Sequence, residues 1–330
     1  MSRLRITIAT TDADRVRPIV DGRVQVEGCD VNYILLTPEE LFARVATGSG
    51  PEVCEIGFST YLVGISRGAH PYVALPVFLS RMFRHSSIYI RTDREIEAPA
   101  DLHGKVVGVP EWQMAAALWA RGMLVDDHGV RLDEIAWRQG GLIDPGRREK
   151  FPTNFPEGFP IEPIGPADTL DEMLRDGRID AIVTARTPPC YFEESVPVHR
   201  LFEDFEDREK EYYRRTRIFP IMHSLGVRRE VHEQYPWLAP SLLKAFTQAN
   251  RLSQESLFDT SALKVSLPWV VSAAREAREL FGHDFWPYGV ESNRVTLEAM
   301  MRYSLEQHMA VRPLAVEELF PASVAQEAPH

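Results

Sequence analysis

Short apolar runs of strand type alternate with amphipathic runs of helix type, twice over, across the first 185 residues or so, and then the alternation stops. Strands are predicted at Leu4–Ala9, Val31–Leu36, Val53–Ile56 and Val73–Leu75, with helices over Pro38–Ala46 and Thr60–Arg67. A second unit repeats the pattern with strands Lys105–Val109, Ile135–Trp137 and Ala181–Val183 and helices Gln113–Val125 and Thr169–Asp176. Such alternation demands an α/β architecture, because each strand must bury both faces under neighbouring helices. From about Arg229 the chain reads as helix alone, over Pro236–Leu257, Pro268–Phe281 and Asn293–Met309, with apolar residues three and four apart.

A chain of 330 residues has room for two domains. Its net charge of −11 argues against nucleic acid or an anionic membrane as partner, since both reward a basic face. No run approaches the ~18 consecutive apolar residues of a membrane span. Cys29, Cys54 and Cys190 have neither a disulfide-framework pattern nor zinc-ligand spacing. The first residues enter a strand-like run at once, with no signal-peptide pattern, so a cytoplasmic location is expected. Between Asp204 and Arg217 the charges read as a solvated helix. Gly140–Gly165, rich in proline and glycine, reads as a long loop placed to cover a site.

Two separated segments carry the chemistry. Ser80-Arg81-Met82-Phe83-Arg84-His85-Ser86 and Phe219-Pro220-Ile221-Met222-His223 each put a histidine at the mouth of an apolar strand. If these strands cross between two lobes, His85, His223, Arg81 and Arg84 fall at the cleft, a site suited to a small anion. Guanidinium forks match carboxylates, and imidazole exchanges protons near neutral pH. In open α/β sheets, ligands gather beyond the carboxyl ends of strands. Those ends bring Thr10, Ser59, Thr60, Arg186 and the turn Glu111-Trp112-Gln113-Met114 into consideration, although caps and surface ion pairs account for the same residue types. No HExxH, GxSxG, P-loop or GxGxxG context is present, which leaves zincin, serine hydrolase, NTPase and dinucleotide readings without support.

The stretches SRMFRHSSIYIR (80–91), PADLHGKVVGVPEWQMAAALWARGML (99–124), PGRREKFP (145–152), GRIDAIVTAR (177–186), IFPIMHSLGVRR (218–229), PWLAPSLLKAF (236–246), PYGVESNR (287–294) and RPLAVEELFP (312–321) together resemble the 4,5-dihydroxyphthalate decarboxylases. The pattern departs at Ala115, where the family places threonine. The resemblance implies a two-lobed, type 2 periplasmic-binding-protein-like α/β fold with a helical C-terminal region. Residues 1–87 and 224–330 would form a discontinuous first lobe and 88–223 the second, with the ligand cleft between them. It further implies loss of CO2 from 4,5-dihydroxyphthalate to give protocatechuate, in phthalate catabolism.

That chemistry needs no organic cofactor: a hydroxyl para to the leaving carboxylate releases electrons as the ring carbon takes a proton, and CO2 departs as aromaticity returns. A divalent metal at the catechol oxygens stays open. For this reaction the expected proton donor is His223, then His85, with Glu111 or the other histidine beside a hydroxyl. Arg84, Ser86 and the Gln113 helix start are expected at the carboxylates, with Arg81, Thr10, Thr60, Met114 and Arg186 as further substrate-binding candidates. Phe83, Trp112 and Met222 are expected around the departing carboxylate. Two alternatives remain: a solute-binding or sensor protein for a small aromatic carboxylate, and another cytoplasmic enzyme of the same fold. A homo-oligomer is also expected.

Overall fold

The computed structural model describes residues 3–68 and 70–325. Strand β1 (Leu4–Thr10) lies between two parallel neighbours, β2 (Cys29–Leu35) and β3 (Val53–Gly57), which is why its last three residues are wholly buried. The short helix α1 (Arg17–Val20) and helix α2 (Pro38–Ala46) flank β2. A capping box starts α2: the Thr37 hydroxyl accepts from Glu40 N–H while the Glu40 carboxylate accepts from Thr37 N–H. Helix α3 (Phe58–Ser66) follows β3 directly, and β4 (Tyr72–Arg81) forms the far edge.

The chain then builds a second sheet from β5 (Ile88–Arg91), β6 (Val106–Val109), β7 (Ala136–Gln139), β8 (Ile161–Pro163), β9 (Ala181–Val183) and β10 (Val198–Arg200), in the order β10-β5-β9-β6-β7-β8. Helices α4 (Ala115–His128), α5 (Leu170–Arg175) and α6 (Phe205–Thr216) belong to this part of the chain. Strand β11 (Ile221–Arg228) returns to the first sheet, antiparallel to β3 and β4, and completes the order β2-β1-β3-β11-β4. The rest is helical: α7 (Arg229–Gln234), α8 (Leu238–Ser256), α9 (Val270–Phe281), α10 (Arg294–Glu306) and α11 (Ala322–Ala325). Among the described residues no helix is long and apolar enough to cross a membrane.

Strand β4 runs well past the predicted Val73–Leu75. Pro76 reads as a strand breaker, but here it marks an irregularity: Leu75 pairs with Leu225 and Ser80 with His223, so the residues between them leave the β11 ladder. Their carbonyls find other donors, Gly289 N–H on Pro76 O at 2.8 Å and Trp286 Nε1 on Phe78 O at 2.9 Å. His223 sits at this break in register.

Helix α8 packs over α1 and β4, whereas α10 packs against both α3 and α4. Ten successive residues of α4, Ala115–Leu124, are buried, as a helix enclosed on all sides requires. Gly122 makes the close approach possible: a Cβ there would run into the Tyr303 ring, whose hydroxyl donates to Asp126 at 2.6 Å. Alanine normally favours a helix over glycine by about 1 kcal/mol. Gly122→Ala is nonetheless expected to destabilise the protein by roughly 1–3 kcal/mol through overpacking. Denaturant unfolding checks this, and a neutral or stabilising result contradicts the packing described.

Candidate active site

A cavity of about 560 Å3 opens between the two sheets. One wall comes from α2 (Pro38, Phe42), the β3–α3 junction (Gly57, Thr60), Arg84 and strand β11 (Met222, His223). The other comes from the turn before α4 (Glu111, Met114, Ala115), the loop after β7 (Gly141–Arg147 and Lys150) and the residues after β9 (Thr184–Arg186). It therefore occupies the carboxyl ends of β3, β6 and β9, where strand ends free side chains and backbone for a ligand.

His223 is held from behind. Its Nδ1 lies 2.7 Å from Oε1 of Glu55, a residue with no exposed surface. Gly57 is the residue paired with His223 across β3–β11, and Glu55 lies two residues along the same face, a diagonal neighbour within reach. The second carboxylate oxygen of Glu55 accepts from Thr11 N–H at 2.7 Å and from the Thr11 hydroxyl at 2.8 Å. Burial works against the Glu55 charge, but the hydrogen bond and charge of His223 together with the Thr11 donors outweigh it and hold the carboxyl below its ordinary pKa. The Phe42 ring meets the imidazole edge-on, 4.8 Å between centroids.

Among the described residues, Arg84 is the one cation lining the cavity that has no ion pair. It is buried, has no carboxylate within ion-pair distance among the described residues, and makes one long hydrogen bond, Nη1 to Ser87 Oγ at 3.4 Å. Its Nε has no hydrogen-bond partner among the described residues. Burial pushes its pKa down to about 10, against the pull of Glu209, so it stays charged at neutral pH with donors to spare for an anion.

The match of the whole chain is decisive. A 4,5-dihydroxyphthalate decarboxylase of Comamonas testosteroni is 42% identical over 325 residues, covering 98% of this chain and 98% of that protein. The chain belongs to the 4,5-dihydroxyphthalate decarboxylase family. A protein of the same name from Pseudomonas putida is 41% identical over 214 residues, covering 65% of this chain and 83% of its own. No family model matches. Among solved structures, the periplasmic aliphatic sulphonate binding protein SsuA of Escherichia coli superposes with a TM-score of 0.53 at 12% identity, over 99% of this chain and all of that one. The alkanesulfonate-binding protein SsuA of Xanthomonas axonopodis pv. citri gives 0.52 at 12% identity, over 97% and 98%. These likenesses show the fold of this decarboxylase-family chain, an α/β fold like that of the periplasmic binding proteins.

Of the residues expected at the site, the cavity gathers His223, Glu111, Arg84, Thr60, Met114 and Arg186. Glu111 does not face it as a free base: Arg147 Nε donates to one oxygen and Lys150 Nζ to the other, at 3.1 Å. Thr60 spends its hydroxyl on Gly57 O at 2.9 Å. Arg186 pairs with Glu39 at 2.5 Å across the mouth, both side chains well exposed.

Five expected residues lie elsewhere. Arg81 points away and ties the crossing strands to the C-terminal region, donating to Phe219 O at 3.2 Å, Pro287 O at 2.8 Å and Asn293 Oδ1. His85 packs between Phe202 and Tyr212, where burial pushes its pKa down to about 4 and keeps it neutral. In the 3-10 turn over His85–Ser87 the Ser86 backbone N–H donates to Glu209 at 3.4 Å, and Ser86 is not part of the cavity lining. Gln113 is fully buried and grips the long loop, Nε2 to Phe151 O at 2.8 Å and Oε1 from Phe151 N–H at 3.2 Å. Thr10 sits one layer behind, its hydroxyl bonded to Thr11 O and Tyr33 Oη. Of the three apolar residues expected around a carboxylate, only Met222 lines the cavity. Phe83 stacks on Phe219, and Trp112 is enclosed by Trp137, Phe155 and Phe159.

Sequence reading missed Glu55, Arg147 and Lys150. A lone carboxylate inside the apolar run Val53–Ile56 was the available signal for Glu55, because an unpaired charge is rarely left in a buried strand. Arg147 and Lys150 lie in the loop expected to cover a site. That loop is anchored by Glu149, which accepts from Trp112 N–H, from Gln113 N–H at 3.2 Å and from Gln139 Nε2 at 2.6 Å. Among the described residues no cluster of three His, Cys, Asp or Glu side chains is placed to hold a metal ion.

Behind Arg84, burial raises the Glu209 pKa from 4.5 to about 7. A carboxyl raised in the native state adds stability below its unfolded pKa near 4.5, and that contribution is lost as pH rises through about 7. Glu209→Gln, a neutral isostere, is therefore expected to gain on the wild type between pH 5 and pH 8, by on the order of 1–3 kcal/mol. Paired denaturation curves at the two pH values test this. A difference that stays constant, or moves the other way, contradicts the burial described.

Proposed function

We propose that this chain is a carboxy-lyase that removes CO2 from 4,5-dihydroxyphthalate without oxidation, yielding protocatechuate. The observation that carries the reading is one cavity holding a buried, unpaired guanidinium, Arg84, together with an imidazole, His223, backed by a buried carboxylate. Arg84 holds the carboxylate that the product keeps, through charge-assisted hydrogen bonds. The other carboxylate faces the apolar wall of Phe42, Met114 and Met222, where neutral CO2 is favoured over the anion.

With the hydroxyl para to that group feeding electrons into the ring, His223 delivers the proton from Nε2 to the ring carbon. The electron pair of the breaking C–C bond returns to the ring and CO2 leaves. Solvent then restores the His223 proton once the product has gone, so each turnover consumes one proton. Arg147 and Lys150, two cations sharing the single carboxylate of Glu111, keep the loop side of the cavity positive for a dianionic substrate.

The test is CO2 release from 4,5-dihydroxyphthalate. His223→Gln is expected to lower kcat by roughly 10^2–10^4-fold, the usual worth of a positioned acid. Arg84→Met is expected to raise KM by roughly 10–100-fold, matching a lost charged hydrogen bond of about 1.5–3 kcal/mol. Tight binding of the diacid without turnover by the wild type would favour a binding protein instead, the reading that the fold alone equally permits.

Self-association and a cytoplasmic location belong to the same proposal. Leu263, Val265, Leu267 and Trp269, in the irregular segment between α8 and α9, are all exposed apolar side chains that suit a contact between copies, with Trp269 77% exposed. Trp269→Asp is expected to lower the mass measured by light scattering, and an unchanged mass excludes this segment.

A further inference from the structure

The most fully built part of the molecule outside the groups assigned to substrate is the arrangement behind His223. Glu55 has no exposed surface and accepts three hydrogen bonds, one from His223 Nδ1 and two from Thr11. Thr11 is fixed in turn, because its carbonyl accepts from the Thr10 hydroxyl at 3.0 Å and that hydroxyl lies 2.9 Å from Tyr33 Oη. These residues come from β1, the segment after it, β2 and β3, while His223 arrives on β11 from the far half of the chain. Both Thr11 donors fall on one oxygen, so the other is left for the imidazole alone.

We propose that Glu55 is the positioning residue for His223: it accepts the Nδ1 proton, which fixes the ring tautomer and orientation and leaves Nε2 as the nitrogen that works in the cavity. This rests on the reading of His223 as the proton donor. Glu55 touches no substrate and exchanges no proton. As an acceptor at Nδ1 it disfavours the tautomer that carries its proton on Nε2 alone, so a proton taken up from the cavity joins at Nε2, where it can be given to carbon. Thr11 keeps the carboxylate from rotating away, and its two donors offset the cost of burying that charge. The proton spent in each turnover must return through Nε2 from the cavity, since the Nδ1 side ends in a closed set of hydrogen bonds.

The experiment combines 15N spectroscopy of histidine-labelled full-length protein, assigned with His223→Gln, with steady-state kinetics of Glu55→Gln and Glu55→Asp. In the wild type the neutral imidazole of His223 is expected to carry its proton on Nδ1, with a far-downfield signal for that hydrogen. Glu55→Gln is expected to lose the signal and shift the tautomer toward Nε2–H, because the amide can donate to Nδ1. Its kcat is expected to fall by roughly 10^2-fold or more with KM changed less than about threefold, a transition-state loss rather than a binding loss. Glu55→Asp, which keeps the charge, is expected to recover part of kcat and keep the Nδ1 proton. Should Glu55→Gln fail to fold, Thr11→Val, which removes one donor, is expected to show the same changes in smaller measure. A wild-type His223 protonated on Nε2, or a tautomer unmoved by Glu55→Gln, overturns the role of Glu55. A tautomer that moves while kcat does not also overturns it, and places the failure in the reading of His223 as the acid.

Discussion

An ionised carboxylate buried at the level of Glu55 is the constraint on which the rest of the architecture depends. Taking such a charge out of water costs several kcal/mol unless hydrogen bonds replace its hydration. Here three donors do so, and they come from parts of the chain 44 and 168 residues away. The requirement brings the end of β1, the middle of β3 and the start of β11 to one point. It thereby joins the two halves of the sequence at the floor of the cavity. The breaks in register between β4 and β11 lie on either side of His223, which keeps its pairing with Gly57 of β3.

Three buried arginines show how the fold separates structural from functional charge. Arg81 ties the strand crossing to Phe219, Pro287 and Asn293, and Arg121 joins α4 to Gln307 and lies 3.7 Å over the Trp112 ring. Both act as crosslinks to backbone carbonyls, amides and π-faces, and neither lines the cavity of the candidate site. Arg84, only three residues from Arg81, has one long bond and faces open space. The loop after β7 supplies a second kind of positive charge, Arg147 and Lys150, already neutralised in part by Glu111.

Strand and helix alternation made the α/β character legible, because periodicity reports burial directly. Strand β1, helix α2 and the start of β3 fall where the sequence places them, and β4 runs longer because irregular pairing around Pro76 is invisible to a rule about proline in strands. Of the site, His223 and Arg84 were legible through their position at strand ends. Arg81 and His85 share the same segment and the same chemistry. They part from Arg84 because a 3-10 turn after Arg84 and the packing of His85 against Phe202 and Tyr212 decide direction, and neither leaves a periodic signal. Glu111 lines the cavity, but its partners come from a loop, where spacing carries no geometry. Glu55 was legible only as an oddity, a charge in an apolar strand whose partners lie far along the chain.

Turnover in D2O tests the central claim, that His223 protonates the ring carbon as CO2 departs, most directly. The wild type is expected to form protocatechuate with one deuterium on the vacated carbon, ortho to the retained carboxylate, and His223→Gln to form it roughly 10^2–10^4-fold more slowly. Deuterated product from His223→Gln at the wild-type rate would contradict it.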